Sequence, residues 1–161
     1  MAHVSIKNVD RLIQRFNNIA NMELRDTMNK ATELVHGQAK MLVPPNGTGY
    51  LAGSIKMQVK DTGKELQGRV YTNAEYAIYV EMGTGVKGNG TYPYEIKGFT
   101  PKYKDKGWAY FDEDKGEWIY TKGQVAQPYM YPALKENEKT IKQMFKNGVK
   151  TKLKENCKGG Q

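Results

Sequence analysis

Apolar residues first recur at helical spacing. Val9, Leu12, Phe16, Ala20, Leu24, Met28, Ala31, Val35, Ala39 and Leu42 follow at intervals of three and four, which places them on one stripe of an α-helix. Asn8 offers a side-chain acceptor for the helix start. Pro44 and Pro45 end the run, since proline brings no N–H and disfavours helix in the residue before it. The predicted helix is about 35 residues, roughly 50 Å long. The Asn-rich piece 17–21 is the place where it could divide in two.

After a turn at Asn46-Gly47-Thr48-Gly49 the period changes to two. Ile55, Met57 and Val59 alternate with Lys56, Gln58 and Lys60; beyond Asp61-Thr62-Gly63, Leu66 and Val70 alternate with Gln67 and Arg69. This predicts a β-hairpin with one buried face. Packing the helix stripe on that face is the economical arrangement. The segment from Glu75 to Met82 is too short to assign. Residues 83–107 have little periodicity and predict a loop. Trp108–Phe111 and Glu117–Tyr120 flank an acidic, glycine-bearing turn and predict a second, aromatic hairpin. A last helix is expected near Pro132, with Leu134, Ile141, Phe145, Val149 and Leu153 as its apolar stripe. The fold class is α+β: a long N-terminal helix packed on a small antiparallel β-sheet, with an aromatic hairpin insertion and a C-terminal helix. The expected organisation is one domain over 1–155, with 86–124 as an inserted loop and hairpin, and a flexible tail over 156–161.

Charge adds an asymmetry. The net charge is +8, and residues 135–161 hold eight lysines against three glutamates, a balance of +5. Lys139, Lys142, Lys146 and Lys150 fall on one side of the last helix, where they form a solvated face or meet an anionic partner. The single cysteine, Cys157, forms no internal disulfide. No basic-then-apolar leader is visible and no stretch is long and apolar enough for a membrane span, so synthesis and assembly in the cytoplasm are expected.

Candidate chemistry is sparse. The thiol lies near the end of the chain, and the only histidines are His3 and His36, so no nucleophile–base pair is set by sequence. The carboxylates of 112–117 lack calcium-loop spacing and read as a hairpin turn. The glycines of 83–90 lack the Gly-Lys-Ser/Thr step of a phosphate loop and read as a mobile loop. No cofactor or metal is expected, and no enzymatic activity. Tyr92, Tyr94, Tyr103 and Trp108 lie among lysines. Such a pattern forms either a stacking surface for single-stranded nucleic acid or a protein interface.

Four segments, in order, carry a family resemblance. They are Ala39–Pro44, closing the long helix; Thr48–Ile55, leading into the first strand; Tyr76–Gly85; and Ala126–Leu134. Together they resemble the gene-product-ten-like tail-component family of lambdoid-type siphophages, the tail-completion or head–tail joining proteins. Met82 and Tyr129 stand where that family usually has phenylalanine, and the stretch from Val86 to Gln124 is longer and more aromatic than the family's. The resemblance implies a small structural subunit that forms a ring at the neck of a virion, joining a DNA-filled head to a tail. The partners it implies are copies of the chain itself and neighbouring neck and tail proteins, with no membrane. Under it, Tyr76, Tyr79, Glu81, Gly83, Thr84, Gly85, Pro128, Tyr129 and Pro132 are expected to serve fold and subunit contact. Tyr92, Tyr94, Trp108 and Trp118, with the four lysines of the last helix, are expected to meet a partner or DNA in the channel. The rival reading is a basic nucleic-acid-binding module.

Overall fold

Helix α1 runs unbroken from Val9 to Leu42, through the Asn-rich piece. The computed structural model describes residues 9–45, 49–63, 65–96, 98–113 and 115–158, with side chains at all of these but 9–23, 152–153 and 155–158. The expected cap Asn8, the turn residues 46–48, Asp114, the side chains of Val9, Leu12, Phe16, Ala20 and Leu153, and the tail 159–161 lie outside the described residues. After α1 come α2 (Tyr50–Ser54), β1 (Ile55–Asp61), β2 (Leu66–Thr72), α3 (Ala77–Met82), α4 (Gly85–Gly88), β3 (Trp108–Asp112), β4 (Glu117–Thr121) and α5 (Met130–Lys158). The strands form two separate two-stranded sheets, β1–β2 and β3–β4, both antiparallel. The α+β architecture with long first and last helices is borne out.

The chain packs as two units, one of residues 1–35, 57–70 and 137–161, the other of residues 36–56 and 71–136. In the first, helix meets hairpin as the periodicity predicts. Ala31, Thr32 and Val35 are buried, and Thr27 beside them. Gly68 of β2 lies directly on this face: a Cβ there would come within 3.0 Å of the Met28 sulfur and closer still to the Thr32 hydroxyl. Leu66 and Val70, two residues to either side, are half-buried, as the period-two pattern requires. Met57 departs from it and is exposed.

The second unit has its own core, in which Ala39, Leu51, Ile55, Ala74, Ala77, Tyr129 and Ala133 are buried. His36, half-buried, donates from Nε2 to the Ile55 carbonyl at 3.0 Å. Helix α5 opens at Met130, two residues before Pro132. Proline is tolerated there because the first-turn N–H groups have no partner within the helix. The inward stripe of α5 passes through Ala133, Asn137, Ile141, Met144, Phe145 and Gly148. It is thus offset from the predicted one, and Leu134 and Val149 are exposed.

Candidate functional site

The unassigned segment before the glycine run is the short helix α3. Ala77 and Glu81, four residues apart and so on one face, are both buried, whereas Ile78 and Tyr79 are exposed. A buried carboxyl group is costly unless hydrogen bonds saturate it, and here they do. Oε2 of Glu81 accepts the backbone N–H groups of Tyr129 and Met130, each at 2.8 Å. Oε1 accepts that of Tyr131 at 3.0 Å, and the Tyr92 hydroxyl points to it at 3.5 Å. These N–H groups open α5, where the helix leaves donors unpaired and its dipole is positive. Pro132, next in line, has none to satisfy. Glu81 therefore caps the last helix from 48 residues away in the chain.

The surroundings of Glu81 raise two phenols. Burial, then the charge and hydrogen bond of Glu81, push the Tyr92 hydroxyl well above its ordinary value of 10.0. Burial, then Glu81 and Tyr76, push Tyr129 up to about 12. Both stay protonated at neutral pH. With its two oxygens engaged by main-chain donors, Glu81 acts as a structural tie and is not open to a substrate.

The expected mobile loop after Glu81 is pinned. Thr84 and Gln124 exchange backbone hydrogen bonds at 2.9 and 3.1 Å, and Lys87 N–H donates to the Lys122 carbonyl at 3.1 Å. The Gln124 side-chain amide donates to the Tyr79 carbonyl at 2.9 Å. Ala126 N–H reaches the Thr91 hydroxyl at 2.8 Å. Such close approach of main chain to main chain needs glycine. Gly83 has φ +76°, and a Cβ there would sit 2.7 Å from Ala126 N; Gly123 has φ +90°, and its Cβ would be 1.9 Å from the Thr84 oxygen. The left-handed region and the absent side chain are both required. Gly85, also at positive φ, backs onto Lys122 and the Trp108 ring. The run cradles its own chain, not a phosphate.

The four segments that carry the resemblance meet in space. A cleft of about 260 Å³ is lined by Val43 and Pro44 from the first, Gly49–Ala52 from the second, Tyr76 and Val80 from the third, and Gln127 from the fourth. Gln127 N–H donates to the Val80 carbonyl at 2.9 Å, and the Tyr50 and Tyr76 rings lie 6.4 Å apart. Buried Pro132 and Tyr129 with half-buried Pro128 complete the approach to α5.

The aromatic residues expected to meet a partner divide. Tyr92 and Tyr94 turn inward: their rings are 5.6 Å apart, and Tyr94 lies 4.7 Å from Tyr131. Trp108 is half-buried, with Lys104 Nζ 4.9 Å from its ring centre. Only Trp118 is well exposed, at 72%. Lys139, Lys142, Lys146 and Lys150 are exposed on the part of α5 that belongs to the other unit. The stacking surface read from Tyr92, Tyr94, Tyr103 and Trp108 is therefore not assembled as one face. Thr91 and Gln124 hold the site together without any sequence signal, and Tyr103, read from the sequence only as one of the lysine-flanked aromatics, holds it as well. Tyr103 donates to the Met82 carbonyl at 2.9 Å. Polar residues inside an aperiodic stretch give no pattern to read, and only the structure shows their partners.

Among the described residues no group of three or more His, Cys, Asp or Glu is placed to hold a metal ion, and no helix is long and apolar enough to cross a membrane. Residues 6–83 match the family model described as "Bacteriophage HK97-gp10, putative tail-component". The match covers just under half of the chain and bears out the resemblance. No curated protein and no solved structure matches.

Proposed function

We propose that this chain, whose residues 6–83 belong to the HK97 gp10-like family of phage tail components, is a structural protein of the virion that works at the head–tail junction. It acts there as one subunit of a ring, is assembled in the host cytoplasm and has no catalytic duty. The observation that carries this reading is the Glu81 tie. The one buried carboxyl group of the described residues is spent on holding α5 to the family-matched segment. The four resemblance segments converge on the same place. Conserving chain geometry in this way suits a scaffold part. Exposed Tyr76, Ile78 and Tyr79, beside that tie, are placed to face a neighbouring subunit.

A phage lacking this gene tests the proposal. Filled heads and separate tails are the expected products in electron micrographs. Complete tailed particles would sink it.

The exposed lysine face of α5 favours one further duty, contact with DNA in the channel. Such contact would be non-specific and would weaken steeply with salt. Retention on DNA that is indifferent to salt, or absent at about 50 mM salt, would count against it.

A further inference from the structure

Hairpin β3–β4 lies wholly outside the family-matched residues, and its two ends carry opposite charge. At the tip stand Asp112, Glu113 and Glu117 against Lys115. Asp112 is taken by Lys115, whose Nζ is 3.7 Å away. Glu113 and Glu117 are exposed, and among the described residues no ion pair holds them. At the root a cleft of about 520 Å³ is lined by Tyr79, Thr84, Lys102, Lys104, Trp108 and Gln124. Lys87 and Lys122, joined through their backbones, are exposed nearby. Among the described residues no ion pair holds Lys102 either.

We propose that the acidic hairpin tip of one copy docks in the basic root cleft of a second copy, making a head-to-tail contact. This rests on the reading that the chain assembles with copies of itself. Five considerations support it. The charges are complementary and placed at opposite ends. A tip cannot fold back on its own cleft, because Trp108 lines the cleft while Asp112 ends the same strand, roughly 13 Å on at 3.3 Å per residue. One face of the hairpin carries Phe111, Trp118 and Tyr120, which are 49%, 72% and 64% exposed. They share that face because Phe111 pairs with Trp118 and Ala109 with Tyr120 in the register. A neighbour seated on the tip would cover this aromatic strip, and Trp and Tyr are the side chains that anchor interfaces. A two-stranded hairpin is also marginal by itself in water, so a covering subunit would steady it. Finally, a contact between two different surfaces of one chain closes into a ring when its rotation permits.

Sedimentation velocity on the full chain at about 50 mM salt, where charge steering is strong, tests the contact. The wild-type chain should self-associate. Reversal at the tip (Glu113→Lys with Glu117→Lys) and reversal at the cleft (Lys102→Glu with Lys104→Glu) should each weaken association about tenfold or more. All four reversals in one chain should restore it. Each substituted side chain is exposed, and circular dichroism melts check that every variant folds. A wild-type chain monomeric up to about 1 mM, a standard weak-binding limit, would overturn the contact. So would reversals without effect, including the case in which the tip serves another acidic-tip receptor, or a fourfold reversal that fails to recover. The deletion phage separates the two claims: tailless products with a monomeric chain would leave the virion role and remove the contact.

Discussion

Replacing Glu81 with alanine should be the most damaging single change in the second unit. The substitution removes the acceptor of three main-chain N–H groups at 2.8, 2.8 and 3.0 Å. A buried donor left without a partner costs about 1–3 kcal/mol. The bond to Tyr129 is the buried one, while Met130 and Tyr131 are part-buried and can recover some hydration. One full penalty of about 2 kcal/mol, two partial ones of about 0.5 kcal/mol, and the lost charge at a helix N-terminus sum to roughly 3–4 kcal/mol. Glu81→Gln should cost about half of that, because its carbonyl serves one pair of donors while its NH₂ is turned on the remaining N–H. Urea unfolding at constant m-value measures both. For a chain of this size the loss corresponds to a melting temperature lower by about 6–16 °C. A Glu81→Ala chain within about 0.5 kcal/mol of wild type, the range of ordinary surface substitutions, would refute the capping argument.

Three further outcomes follow from the same geometry. Tyr129 is raised to about 12 from 10.0, so the folded state keeps a proton that the unfolded state releases above pH 10. Stability from this group is full below pH 10 and is lost as pH rises toward 12; the gap between wild type and Tyr129→Phe in pH-dependent melts should change only in that window. Gly123→Ala puts a Cβ 1.9 Å from the Thr84 oxygen at φ +90° and should cost at least about 2 kcal/mol in chemical denaturation; a neutral result would mean the pinned turn is not as described. Gly68→Ala should destabilise through the Thr32 hydroxyl, and Thr32→Ala in the same chain should recover part of the loss, which a double-mutant cycle reads directly.

Periodicity made the long elements legible. The stripe of α1 and the alternation around Gly63 each became the element expected, because each had a solvent face and a more buried face to encode; the two aromatic runs did so through the glycine-bearing turn they flank, with no residue of either strand buried. The inward stripe of α5 is offset from the expected one, with Leu134 and Val149 exposed. The site was legible only as a list. Glu81, Pro128, Tyr129 and Pro132 were singled out through resemblance, yet nothing in the sequence says that a glutamate in one short segment caps a helix 48 residues on. The glycine run reads as mobile in the sequence because aperiodic, glycine-rich sequence is common to free loops and to chains pressed against their own backbone. Only the partner segment, Lys122–Ala126, distinguishes the two.

Immunogold labelling of finished virions with an antibody to this chain tests the central claim most directly. The account predicts label confined to the junction between head and tail. Label along the tail tube or at its tip, or virions free of label while the protein is plentiful in the lysate, would contradict it.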